Sequence, residues 1–190
     1  MIAGGELPDP DLPDTSFAVL GLLTFGARSG YDLLKLAETS IGFFWTPARS
    51  HVYSELKRLS SLGLVAHERV EQTDRPSKRV YSITTSGRSA LRRWLEGPAL
   101  EPDQVRSQFL LKVFFGALMD RDALVELVER RRDEAERTAA QLREIDARID
   151  GEDRWLFPRL TLRHGLVRAD GVVAWAEDTI RELSDRGARR

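Results

Sequence analysis

The sequence predicts a mainly α-helical protein built in two parts: three helices with a β-hairpin and a closing helix, then a second part that is helical throughout. Three observations carry this prediction. Apolar residues recur at helical spacing through the first part, between recognisable start and stop signals. Two β-rich runs, Leu64-Val-Ala-His-Glu-Arg-Val and Arg79-Val-Tyr-Ser-Ile, flank a polar loop containing a proline. Beyond Glu101, apolar positions alternate at gaps of four and three along two long stretches. A chain of 190 residues, 42% hydrophobic and 31% charged, has room for one mid-sized domain or two small ones, with long solvated helices.

Residues 1–14 read as a flexible acidic arm, with Glu6, Asp9, Asp11 and Asp14, no base and few large apolar groups. Order is expected from Asp14–Ser16, which can cap the run Phe17-Ala-Val-Leu-Gly-Leu-Leu, and Gly26 ends this first helix. Ser29 with Asp32 three residues on is a capping-box-like pair. It opens a second helix, about residues 30–40, that turns Leu33, Leu34, Ala37 and Ile41 inward. Gly42-Phe-Phe-Trp makes a short apolar loop. Thr46-Pro47 is a good helix start, because threonine caps and proline fits the first helical position. The third helix should therefore run from Pro47 to about Leu62 and stop at Gly63. Its Val52, Leu56 and Leu59 share one face, while Ser50, Tyr53, Ser54, Lys57, Arg58 and Ser61 occupy another. The β-rich runs follow as a hairpin whose tip carries Arg75, Lys78 and Arg79. Thr84 or Thr85 caps a fourth helix through Leu91, Trp94 and Leu95, until Gly97-Pro98 breaks it. Three helices followed by a hairpin with a basic tip make a winged helix-turn-helix, here residues 15–97.

Residues 98–190 form the helical second domain. The run from Val105 to Phe115 is too apolar for an exposed helix. One stripe then runs Leu124, Val128, Arg131, Ala135, Thr138, Leu142, Ile145, Ile149, and another Leu162, Leu166, Ala169, Val173, Ala176, Ile180, Leu183. Such patterning implies helices packed along their length, with Gly151 and Pro158 at the connection. A bundle this narrow leaves apolar surface uncovered unless a second copy covers it, so a homodimer is expected. Aromatic groups gather in this half. They read either as core and seam filling or as a candidate effector pocket around Phe109, Trp155, His164 and Trp175.

The net charge of −1 hides an uneven distribution: residues 15–96 hold twelve bases against seven acids. A basic first half on a near-neutral chain points to a local polyanion contact. Cysteine is absent, which removes disulfides, thiolate metal sites and cysteine nucleophiles together. Three scattered histidines, and no HExxH, GxSxG, GxGxxG or P-loop, argue against an enzyme and against a bound metal or cofactor. No stretch approaches a membrane span and the N-terminus does not read as a signal peptide, so a cytoplasmic protein is expected.

The first part resembles the PadR-like family of bacterial transcriptional regulators. The resemblance rests on Leu20-Gly-Leu-Leu, Gly30-Tyr-Asp-Leu, Trp45-Thr-Pro-Ala-Arg-Ser-His-Val-Tyr-Ser-Glu-Leu-Lys-Arg-Leu, Gly63-Leu-Val and Arg79-Val-Tyr-Ser-Ile-Thr-Thr-Ser-Gly-Arg, in that order. The second part is similar to the longer subgroup, whose helical C-terminal domain dimerises. The resemblance implies a repressor, and in some members release from DNA by a small aromatic effector. Two departures stand out. Asp74 occupies a position before the wing-tip arginine where many members have glycine, and Ser50-His51-Val52 replaces the usual small pair ahead of Tyr53.

Duplex DNA needs cations against phosphates and a narrow element with hydrogen-bonding side chains for the bases. The third helix supplies both. Arg49, Ser50, His51 and Ser54 are placed toward base edges or nearby phosphates, and Tyr53, Lys57 and Arg58 toward the backbone. Tyr31, in the Gly-Tyr-Asp-Leu motif, is placed toward a phosphate, and Arg75, Lys78 and Arg79 along the flanking backbone or minor groove. A basic helix face taken alone is often plain solvated surface, and a winged helix can also dock proteins. A steep salt dependence separates DNA binding from apolar docking.

Overall fold

Asp14 to Leu23 form α1, which buries Ser16, Val19, Leu20, Leu22 and Leu23, a run apolar enough to sit at the centre of its layer. The computed structural model describes residues 12–46, 48–71, 77–98, 106–149 and 155–187. Most of the acidic arm therefore lies outside the described residues, but Leu12 is already buried in the core. Ser16 does not cap α1. The helix begins at Asp14 behind Pro13, and the buried Ser16 hydroxyl donates to the Glu55 carboxylate of the third helix. Gly26, at φ +117°, turns the chain out of the helix.

Arg28–Ser29 form a two-residue strand, β1, followed by α2 (Gly30–Ser40), α3 (Arg49–Ser61), β2 (Val65–Val70), β3 (Lys78–Ile83) and α4 (Thr85–Leu95). The strands make one antiparallel sheet in the order β1-β3-β2. Ser29 caps α2 as its sequence suggests, its hydroxyl accepting from the Asp32 amide at 3.2 Å. Thr84 likewise caps α4, accepting from the Gly87 amide at 3.0 Å.

The start of α3 differs from expectation. Thr46 turns back and donates to the Gly42 carbonyl at 2.8 Å, closing the apolar loop instead of capping the helix. The helix then begins at Arg49 behind Ala48, with no side-chain cap, and Pro47 lies outside the described residues. At its other end Gly63, at φ +69°, supplies the expected stop. Leu20, Leu23, Leu33, Leu56 and Leu59 fill the core of this unit, and Phe17 stacks on Trp94 at 4.7 Å to tie α1 to α4.

The chain divides into two compact units, Met1–Glu101 and Pro102–Arg190. The second contains α5 (Gln108–Phe114), a single 3₁₀ turn (Gly116–Leu118), α6 (Arg121–Arg148) and α7 (Leu156–Gly187). Asp146–Arg159 (3.1 Å) lies near the α6–α7 connection and Arg143–Asp170 (2.7 Å) further from it, so the two long helices run antiparallel. Leu124, Val128, Ala135, Ala139 and Leu142 of α6 are buried, as are Leu162, Ala169 and Ala176 of α7. Ala139 takes the buried place expected of Thr138. A helix with 3.6 residues per turn drifts about 20° per heptad away from a strict seven-residue stripe.

The reading of the Val105–Phe115 run also needs correction. Every residue of α5 is at least partly exposed, with Phe114 at 80% and Leu118 just beyond it at 88%. The reason is that α6 and α7 seal their seams against each other. That leaves the outer side of α5 uncovered within one chain.

Candidate nucleic-acid interface

Val52, Leu56 and Leu59, almost wholly buried, anchor α3 in the core, so its other side must face outward. Arg49, Ser50, His51, Tyr53, Ser54 and Lys57 are all exposed there, and Arg58 is half-buried at the edge. The Ser54 hydroxyl donates to its own helix, to the His51 carbonyl at 2.9 Å, and keeps its oxygen available as an acceptor. The face thus offers fixed cations, an imidazole, hydroxyls and a phenol on one narrow rod.

Tyr53 is held by a neighbour that the sequence spacing does not reveal. A Cβ built on the buried Gly30 would lie 2.4 Å from Tyr53 Cε1, so only glycine at the start of α2 leaves room for the ring. The next residue, Tyr31, is 59% exposed, so both phenols belong to the region where α2 begins beside α3. The substitution Gly30→Ala is expected to push the Tyr53 ring aside, because the obstacle is the end of a mobile side chain. Its melting temperature should stay within roughly 3 °C of wild type while duplex affinity falls about tenfold, as for loss of one good contact. Calorimetry and fluorescence anisotropy check the two halves, and unchanged affinity would count against a role for Tyr53.

The capping box carries a charge as well as a fold signal. Ser29 donates to Asp32 Oδ2 at 2.6 Å, and Lys78 Nζ stands 3.8 Å from the same oxygen. The Ser29 hydroxyl, with help from Lys78 and Arg28 against partial desolvation, holds the Asp32 carboxyl below its ordinary range, so it is ionised at neutral pH.

In the wing, Lys78 is half-exposed and Arg79 exposed. Arg69, which sequence reasoning passed over, lies opposite Arg79 in the β2–β3 register and pairs with Glu71 at 3.0 Å. Strand alternation was the available signal for it. Arg75 and Asp74 lie outside the described residues. His67 is directly opposite Tyr81 in the same register, with the rings 5.7 Å apart, which gives it a cross-strand packing role.

The four candidate effector residues do not converge on one space. Phe109 meets Trp175 edge-on at 5.7 Å and lies under the Arg131 guanidinium at 5.8 Å, a packed stack that docks α5 on α6 and α7. Trp155 precedes α7, and His164 is exposed on it. A cavity of about 630 Å³ lies instead along another part of α5, lined by Arg106, Ser107, Gln108, Leu110, Leu111 and Phe114. Among the described residues, no group of three or more His, Asp or Glu could hold a metal ion, and no helix is long and apolar enough to cross a membrane.

Comparison with known proteins matches residues 19–93 to the transcriptional regulator PadR-like family and residues 105–184 to the virulence activator alpha C-terminal family. The chain is 31% identical over 174 residues to the negative transcriptional regulator PadR of Bacillus subtilis, spanning 86% of this chain and 94% of the relative. The crystal structure of that protein in complex with operator DNA matches 90% of this chain and 99% of its own, with a TM-score of 0.82 at 26% identity. Its complex with p-coumaric acid matches the same shares with a TM-score of 0.74 at 25% identity. The virulence activator AphA of Vibrio cholerae matches with a TM-score of 0.69 at 29% identity, again over 90% and 99% of the two chains.

Proposed function

The chain belongs to the PadR-like family, which comprises transcriptional regulators and not enzymes, and from that premise we propose that it is a homodimeric repressor of an inverted-repeat operator in double-stranded DNA. The observation that carries the reading is the exposed polar face of α3, opposite the buried Val52, Leu56 and Leu59. In this reading residues 15–97 bind DNA and residues 98–190 dimerise and carry any effector site. Arg49, Ser50, His51 and Ser54 meet base edges or close phosphates in the major groove, while Tyr31, Tyr53, Lys57 and Arg58 meet the backbone. The wing cations Arg75, Lys78 and Arg79 follow the flanking backbone. Two copies would set their α3 helices one duplex turn, roughly 34 Å, or a multiple apart.

Repression by occupancy follows the Bacillus relative, described as a negative regulator; deletion of the gene should then raise expression from promoters carrying the operator. The p-coumaric acid complex of that relative supports a small aromatic effector here too, acting in the cytoplasm by binding DNA-competent and incompetent dimers unequally. The direct test is titration of duplex DNA selected by the protein from random sequence, over a salt series. Lys57→Ala should weaken all duplexes alike and lower the salt slope by about one, whereas Ser50→Ala or Ser54→Ala should cost about 1–3 kcal/mol and relax specificity. Indifference to salt and to half-site spacing would refute the reading in favour of a protein-docking module.

A further inference from the structure

Asp32 is out of place on a surface meant for phosphate. Three features hold it there. Ser29 donates to its carboxylate at 2.6 Å, and Ser29 is itself 9% exposed and paired to Val80 across the β1–β3 ladder. Lys78, the first residue of β3, lies two positions before Val80 and approaches the same carboxylate oxygen at 3.8 Å. Both side chains of the ion pair remain nearly half exposed, at 45% for Asp32 and 42% for Lys78, so the pair adds little to stability. Its position matters more than its strength. One end lies next to Tyr31 at the start of α2 and the other at the root of the wing, where the DNA-binding reading, on which this inference rests, places a phosphate contact.

We propose that Asp32 is a positioning residue that holds the Lys78 ammonium beside α2 and makes it exchange a carboxylate for a phosphate, which moderates the affinity for operator DNA. A loosely docked duplex does not offer Lys78 a well-placed phosphate, so the carboxylate retains it. A duplex seated by the α3 contacts presents the phosphate at a fixed place and draws Lys78 away. Breaking the pair therefore subtracts from the affinity of the seated complex, and a complex that leaves Lys78 on the carboxylate loses at most as much. Without it, Lys78 is a free cation in both.

The test measures wild type, Asp32→Asn, Asp32→Glu, Lys78→Ala and the Asp32→Asn/Lys78→Ala double variant on a selected duplex and on a scrambled duplex of equal length. Anisotropy is recorded from low to moderate salt, with circular dichroism to confirm the fold. Asn can still accept from Ser29, so the cap survives. Asp32→Asn should tighten binding to the selected duplex about two- to fivefold, and tighten the scrambled duplex by no more than that. Asp32→Glu should return the affinity for the selected duplex toward wild type, and the Asp32→Asn effect should vanish in the Lys78→Ala background. The proposal is overturned if folded Asp32→Asn leaves the affinity for the selected duplex unchanged, or if its gain persists without Lys78. If wild type binds neither duplex in a salt-dependent way, the DNA reading falls and this proposal with it.

Discussion

Phe114→Glu combined with Leu118→Glu is expected to turn the protein into a monomer and lower its affinity for a two-half-site operator by about a hundredfold or more. The seam shared by the two long helices is closed within one chain, since Leu124, Val128, Leu142, Leu162 and Ala176 are already buried. The outer side of α5 and its continuation remain uncovered, with Leu110, Leu111, Phe114, Phe115 and Leu118 in a row; Leu156, Phe157, Leu160 and Val167 of α7 are exposed as well. Soluble proteins rarely leave so contiguous an apolar strip to water, and a second copy is the occupant that the dimeric reading supplies. In a two-fold interface each substitution occurs twice, so four carboxylates would enter a surface that excludes water. The same changes should barely disturb the monomer, because both side chains are at least four-fifths exposed. The loss on DNA comes from the broken link between two heads, not from damage to either. Sedimentation velocity together with titration of one-site and two-site duplexes checks this. A variant that stays dimeric refutes the assignment of the strip, and equal losses on both duplexes would point to damage in the DNA-binding unit.

Much of this architecture was legible in the chain because local chemistry decided it. Ser29 with Asp32, Thr84 ahead of its helix, and Gly63 after α3 each act within a few residues, so their signals survive in the sequence. The exposed face of α3 was legible for a similar reason: the periodicity of Val52, Leu56 and Leu59 fixes which side is left for function. What could not be read depended on distant neighbours. β1 is two residues long, below any usable period, and exists only because β3 lies beside it. Thr46 had two competing partners, the amides of the next helix and the Gly42 carbonyl behind it, and spacing alone does not rank them. The roles of Gly30 under Tyr53 and of Asp32 beside Lys78 join residues 23 and 46 positions apart, which needs the fold itself.

Gly87→Ala should have the largest effect on stability of any single methyl added to the first unit, although alanine normally favours a helix over glycine by about 1 kcal/mol. A Cβ there would sit 2.1 Å from the Leu64 carbonyl oxygen and 3.0 Å from Ile83 Cγ1. That carbonyl already accepts the Thr84 amide at 3.1 Å and the Thr84 hydroxyl at 3.0 Å. The hydroxyl also donates to the Gly63 carbonyl at 2.8 Å, so one threonine joins the turn after α3, the start of β2 and the cap of α4. The obstacle is therefore backbone held in a network, unlike the ring edge that faces Gly30. Relief requires α4 to move off the sheet, at an expected cost of about 3 kcal/mol and a fall of roughly 12 °C or more in the melting temperature of this unit. Gly21→Ala is the matched control: a Cβ there meets nothing within 4 Å, and it should stabilise α1 slightly. Calorimetry on the three proteins decides the matter. If Gly87→Ala melts with Gly21→Ala rather than far below it, the joint between α3 and the wing is softer than its hydrogen bonds imply, and the wing's placement beside α2 loses its structural basis.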